Sequence, residues 1–270
     1  MPDDEAPATD SRTTDPAPPQ DFWRDLRGTT QSRIGLGRTG DALPTTDVLA
    51  LRAAHAAARD AVHLPLDTAT LTEQITEVGL GTPVTVASRA TTRAEYLRRP
   101  DLGRLPDDLT AVPDTGADIG FVLADGLSPL ALSEHAPGLL TALADELGDR
   151  YTLAPPVIAT QARVALGDHI AEAMGVRTVL VLIGERPGLS VADSLGIYLT
   201  HLPRPGRADA ERNCISNIHP PDGLTYRDAA RVVAGLVAGA RALGRSGVDL
   251  KDTSRTDALA AAETLTIEPG

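Results

Sequence analysis

The feature that most constrains this chain is the uninterrupted apolar run Val179, Leu180, Val181, Leu182, Ile183, cut off by Gly184-Glu185-Arg186-Pro187-Gly188. A run of this length, mostly branched at Cβ, suits a strand buried on both faces of a parallel sheet, and such a strand requires helices on either side. Two glycines and a proline end it and let another group approach the backbone closely. Glu185 is thereby set at the strand's carboxyl end, where open α/β sheets hold ligands in a crevice. Ser190 followed by Asp193 has the form of a capping box, so a helix is expected from Val191. Residues 196–202 read as a second strand. Residues 213–219 alternate polar or thiol with apolar side chains and read as a third, bringing Cys214 toward the same crevice. The pattern equally allows Glu185 and Arg186 to be solvated loop charges and Cys214 a small packing residue.

Upstream, residues 119–123 form an expected strand, and Asp125-Gly126-Leu127-Ser128-Pro129 supplies the turn into a helix, with Ser128 as N-cap and Pro129 at the first helical position. The crossover helix spans 130–147, the next strand 157–164 and the next helix 167–174. Tyr226 to Leu243 forms a last long helix with Ala230, Val233, Leu236, Val237 and Ala240 inward. Alternating strands and helices of these lengths predict a Rossmann-like α/β fold: a mostly parallel sheet with flanking helices and right-handed crossovers. Val164, Glu185 and Cys214 each close a different strand, so all three are expected along one crevice suited to a large flat ligand.

A helical N-terminal region precedes that domain. Residues 1–30 read as a disordered leader, because Pro, Asp, Thr and Ala over the first twenty positions cannot offset the entropy of ordering. Phe22, Trp23 and Leu26 interrupt it as a short amphipathic anchor. Gly35, Gly37 and Gly40 satisfy G-x-G-x-x-G, yet no buried strand precedes them and no helix opens within them, so a dinucleotide fingerprint is rejected. With Arg33 and Arg38 the segment reads as an extended arm on a partner surface. Residues 31–110 then form a helical arm and partner-docking region. One helix starts at Thr45, with Val48, Leu51, His55, Ala58 and Val62 on its apolar stripe. A second runs over 67–78, capped by Asp67 or Thr68. Arg89, Arg93, Arg98, Arg99 and Arg104 are either a solvated face or a contact for an acidic patch. Residues 111–251 form the α/β ligand domain and 252–270 a tail.

Among 270 residues, 42% hydrophobic content suffices for a real core. A single cysteine excludes an intrachain disulfide, and neither a secretion signal nor an apolar run near the ~20 residues that span a bilayer is evident, so a cytoplasmic, reduced protein is expected. A formal net charge of −12 disfavours nucleic acid and anionic membranes, both of which depend on a positive field.

Several stretches in order resemble one family. Residues 184–190 (GERPGLS), Asp193-Ser194-Leu195 and residues 213–219 (NCISNIH) are similar to the signature of the small (light) subunit of ethanolamine ammonia-lyase, and so are residues 33–40, 55–62, 88–90, 96–101 and 125–128. The resemblance covers roughly residues 33–251. It implies a subunit of an adenosylcobalamin-dependent ammonia-lyase that converts ethanolamine to acetaldehyde and ammonia by a radical route. It also implies that Val164, Glu185 and Cys214 contact the cofactor, that a large (heavy) subunit holds the substrate, and that the complex works in a bacterial microcompartment. No catalytic acid, base or nucleophile and no metal ligand is then expected in this chain. Proteins that replace the cofactor's own base with histidine use D-x-H-x-x-G, whereas here Ser133-Glu134-His135-Ala136-Pro137-Gly138 has serine where aspartate should orient the imidazole. The cobalt is therefore expected to stay base-on. Two other classes compete: a hydrolase with Cys214 as nucleophile and His219 as base, although five residues apart on a strand they point to opposite sides, and a noncatalytic microcompartment scaffold.

Overall fold

A computed structural model describes residues 20–252. The chain divides into two units, one up to Arg52 and one from Ala53 onward. In the first, the expected amphipathic anchor is a helix, α1 (Gln20–Arg27). Arg27 donates from Nε to the Ile34 carbonyl at 3.1 Å and from Nη2 to the Gly35 carbonyl. Gly35 has φ 60 and lies against the Trp23 ring, where a Cβ would collide with the indole. Residues 28–38 contain no strand, as the rejection of a dinucleotide motif anticipates. Helix α2 (Thr45–His63) spans the division between the units. Its expected apolar stripe is only half-buried at Val48, Leu51, Ala58 and Val62, and His55 is exposed.

The larger unit continues with α3 (Thr68–Glu77), whose N-cap Asp67 accepts from the amides of Ala69 and Thr70. Then come β1 (Val84–Ala87), α4 (Arg93–Arg98), β2 (Ile119–Ala124), α5 (Pro129–Leu147), β3 (Val157–Thr160), α6 (Leu166–Met174), β4 (Thr178–Gly184), β5 (Leu195–His201), β6 (Asn213–Ile218) and α7 (Tyr226–Leu243). Ser128 accepts from the Ala131 amide and Pro129 opens α5, so the cap read from sequence stands.

The sheet order is β1-β3-β2-β4-β5-β6. β1, β3, β2 and β4 pair in parallel, while β5 runs antiparallel to both β4 and β6. The expected mostly parallel, Rossmann-like sheet is thus corrected to a mixed α/β sheet with flanking helices. The physical reason is the connection. A parallel return needs a crossover of a dozen or so residues, usually a helix. Residues 185–194 form no helix, so the chain turns back beside β4. The expected helix at Val191 is absent because that loop is pinned flat: the Glu185 amide donates to the Ser194 carbonyl at 2.9 Å and the Ser128 hydroxyl to the Ala192 carbonyl at 2.8 Å.

Alternation along the strands sorts the core into two layers. Phe121, Leu123, Leu180, Leu182, Ile197 and Leu199 face α5 and α7. Val122, Val157, Val179 and Val181 face α6 through Leu166, Ile170 and Met174. Tyr198 lies opposite Val181 on one side and Cys214 on the other, on the α6 face of the sheet. There Tyr198 is half-buried and Cys214 exposed, so this face opens toward solvent beyond β4.

Candidate functional site

The carboxyl ends of β2, β3 and β4 converge on a cleft of about 340 Å³ that includes Leu127, Arg163, Val164, Ile183, Glu185 and Tyr198 in its lining. Three local devices build it. Gly126 has φ 57, and its missing side chain lets the β2–α5 turn lie against the carbonyl of Gly184. Gly184 in turn abuts the Ser128 and Asp125 carbonyls. The group that the sequence expected to approach this glycine closely is the neighbouring backbone. Strand β3 stops at Thr160, short of the expected Val164, because Gln161 adopts φ 51 and leaves the extended conformation.

Glu185 leaves β4 half-buried and reaches across to the antiparallel strands. Its Oε2 accepts from the Ser194 hydroxyl at 2.6 Å and from the Asn217 amide at 3.3 Å. Oε1 lies beside Gly196, where a Cβ would come within 3.0 Å, and accepts no hydrogen bond among the described residues. Val164, half-buried, and Glu185 share the cleft. Cys214 does not line it directly but adjoins it through Tyr198, its partner in register across β5 and β6. Although Cys214 as a residue is exposed, partial desolvation beside Tyr198 raises its thiol above the ordinary range; the tyrosine opposes that shift and the Glu185 charge adds to it. Tyr198 itself is pushed up to about 12, first by desolvation and then by Cys214. A raised thiol holds less thiolate, the reverse of an activated nucleophile. His219 is buried and engaged with Asn217 Oδ1 at 2.8 Å. A Cys214–His219 hydrolase pair therefore finds no support.

Sequence reasoning passed over the opposite wall. Tyr96 is fully buried, with the Arg93 guanidinium 4.7 Å from its ring centroid and that of Arg163 4.3 Å away. The Arg163 guanidinium makes one long hydrogen bond, to the Tyr96 carbonyl at 3.4 Å, and no ion pair among the described residues. Of the basic cluster only Arg93 turns inward; Arg89, Arg98, Arg99 and Arg104 are exposed, and Arg99 forms a bidentate pair with Asp101 at 2.9 and 2.7 Å. One signal was available: Asp125, like Glu185, is a carboxylate directly following a fully apolar strand.

His135 is buried in α5, with Nδ1 2.8 Å from the Tyr226 hydroxyl and Nε2 3.5 Å from Asp193. Among the described residues no group of three or more His, Cys, Asp or Glu side chains could hold a metal ion, and no helix is long and apolar enough to cross a membrane.

At its strand ends this α/β chain thus presents a largely apolar cleft bearing one carboxylate oxygen without a hydrogen bond and two arginines, Arg163 and Arg186, without an ion pair among the described residues, the form that ligand clefts commonly take. The family model described as ethanolamine ammonia-lyase light chain matches residues 20–251. The ethanolamine ammonia-lyase small subunit of Rhodococcus erythropolis is 70% identical over 256 residues, 95% of this chain and 100% of that protein. Those of Ralstonia nicotianae and Rhodopseudomonas palustris are each 46% identical, covering 94% and 93% of this chain and 97% and 98% of their own lengths. The chain belongs to the ethanolamine ammonia-lyase light-chain family, the small subunits of a lyase built from unlike chains.

Proposed function

We propose that this chain holds one side of adenosylcobalamin in the cleft at the ends of β2, β3 and β4. Together with a large subunit that carries the substrate, it thereby takes part in converting ethanolamine to acetaldehyde and ammonia. The observation that carries the reading is the meeting of Val164 and Glu185 in one cleft, with Cys214 beside it through Tyr198. The lining suits such a group. A corrin presents an apolar edge and a fringe of carboxamides. Leu127, Val164, Ile183 and the Tyr198 ring supply apolar contact, the free Oε1 of Glu185 can accept an amide N–H, and charge-assisted bonds of that kind are the stronger ones.

Cleft size argues for a shared site. Pockets that enclose drug-sized ligands run to about 300–1,000 Å³. A cleft of about 340 Å³ grips only one edge of a corrinoid and leaves the rest to another chain. When bound, the cofactor supplies radical chemistry through its cobalt–carbon bond, and the protein orients it. This chain's part is to seat the ring and exclude water along that edge, with no acid, base or nucleophile of its own. A base-on cobalt fits the placement of His135, which is buried in α5 and engaged with Tyr226. A location inside a cytoplasmic microcompartment is what the family resemblance implies; of the leader expected over residues 1–30, residues 1–19 lie outside the described residues.

The test is coexpression with the large subunit followed by absorption titration with adenosylcobalamin. Glu185→Ala is expected to weaken cofactor retention by about tenfold while the two subunits still coelute. Retention equal to the parent complex refutes the assignment.

A further inference from the structure

Asp125 opens the turn into α5, yet the cap itself uses only Ser128. Asp125 is 2% exposed, and both carboxylate oxygens address a different loop: Oδ2 accepts from the Gln161 amide at 2.8 Å and Oδ1 from the Ala162 amide at 2.9 Å. Arg93 supplies the nearby cation, with Nη1 3.6 Å from Oδ2. Other groups clamp the same turn. The Ser88 hydroxyl donates to the Gln161 carbonyl at 2.7 Å, the Tyr96 hydroxyl to the Ala162 carbonyl at 3.1 Å, and the Arg163 amide to the Gly103 carbonyl at 2.8 Å. Gln161 sits at φ 51, a conformation that a non-glycine residue keeps only when its surroundings impose it. Burial pushes the Asp125 carboxyl upward, against the pull of the two amides and Arg93. A buried carboxylate is a costly way to tie a turn, and the residues that follow this turn are Arg163 and Val164, both in the cleft.

We infer that Asp125 is a positioning residue for the cofactor cleft: by gripping two successive amides of the turn after β3, it holds Arg163 and Val164 where the edge of the bound ring meets them. The inference rests on the reading of the cleft as a corrinoid site. Strand β2 carries its own control at the other end. Asp118 accepts from the Thr152 amide at 3.1 Å, the Thr152 hydroxyl at 2.9 Å and Arg241 at 2.8 Å, and lies away from the residues lining the cleft.

The experiment uses the complex of this chain with the large subunit, equilibrium dialysis against cyanocobalamin, and gel filtration and thermal melting as checks on assembly. Asp125→Asn turns an NH₂ toward one of the two amide donors. It is expected to weaken corrinoid affinity at least about tenfold with assembly retained. Asp118→Asn, at a carboxylate that likewise ties the strand to a neighbouring backbone amide and an arginine, is expected to lower the melting temperature without changing affinity, the behaviour of a merely structural carboxylate. Asp125→Glu keeps the charge beside Arg93 but displaces the turn; it is expected to assemble and also to bind more weakly, and serves if the asparagine variant does not fold. Unchanged affinity in whichever Asp125 variant assembles overturns the inference, as does an equal affinity loss in Asp118→Asn. If Glu185→Ala weakens binding while the Asp125 variants do not, only this inference fails. If neither position matters, the cofactor reading of the cleft fails with it.

Discussion

The two halves of the sheet are built on different terms. β1, β3, β2 and β4 lie parallel, and where they are longest they are sealed on both faces, with every residue of β2 and β4 buried. β5 and β6 run antiparallel, bury one face against α7 and leave Tyr198 and Cys214 on a face open to solvent. The cleft and its surroundings straddle the seam. Val164 and Glu185 come from the parallel half, Tyr198 and Cys214 from the other, and Glu185 crosses between them through Ser194 and Asn217. The difference teaches that a sealed half fixes positions while an open half leaves one face of the sheet uncovered.

The strongest way to break this arrangement is at the buried ion pair that joins α6 to the start of β6. Arg212 donates to both carboxylate oxygens of Asp168, at 2.8 and 2.6 Å, and each side chain is 1% exposed. Asp168→Ala leaves a buried guanidinium without its carboxylate, and a loss of about 3–5 kcal/mol is expected, read as a lower denaturation midpoint. A loss under about 1 kcal/mol would mean that the open half holds without this tie.

The glycines sharpen the comparison at intermediate cost. Gly184→Ala drives a methyl group into the Ser128 carbonyl in the sealed half, and a destabilisation of about 1–3 kcal/mol is expected. Gly188→Ala meets only ordinary contact, 3.4 Å from the Val191 carbonyl, and is expected to stay within about 0.5 kcal/mol. Equal costs in thermal unfolding would remove the distinction between a backbone-packed glycine and a loop glycine.

The smallest effect lies on the seam itself. His201, paired in register with Thr178 and bonded to its hydroxyl at 2.8 Å, has its pKa lowered below 6.5, first by burial and then by Arg241, Arg177 and Arg207. The unfolded chain therefore takes up the proton first as pH falls. The contribution to stability is complete above pH 6.5 and declines as pH drops through 6.5 toward the folded value. His201→Gln is expected to flatten the slope of stability against pH in that window; an unchanged slope counts against a titrating seam.

Much of this molecule was legible in the chain. The Ser128-Pro129 cap, the runs that became β2 and β4 and the amphipathic α7 all announce themselves within a few residues, because backbone propensity, capping and side-chain periodicity are local; β6 was read as a strand, but its burial does not alternate. Glu185 was visible for the same reason: a charge directly after a buried strand must sit at its end. Tyr96, Arg163 and Asp125 were not legible as one wall, since their contacts join α4, the turn after β2 and the turn after β3.

By itself the sequence determined the main strands and helices, β2, β4, α5 and α7 among them, and the residues that stand at their ends. Only the tertiary structure decided that β5 turns back antiparallel, that Gly184 makes room for backbone, and that Asp168 meets Arg212, 44 positions away. The first set depends on energies between near neighbours. The second depends on which surfaces remain to be covered once the strands have packed, and no window of consecutive residues contains that information.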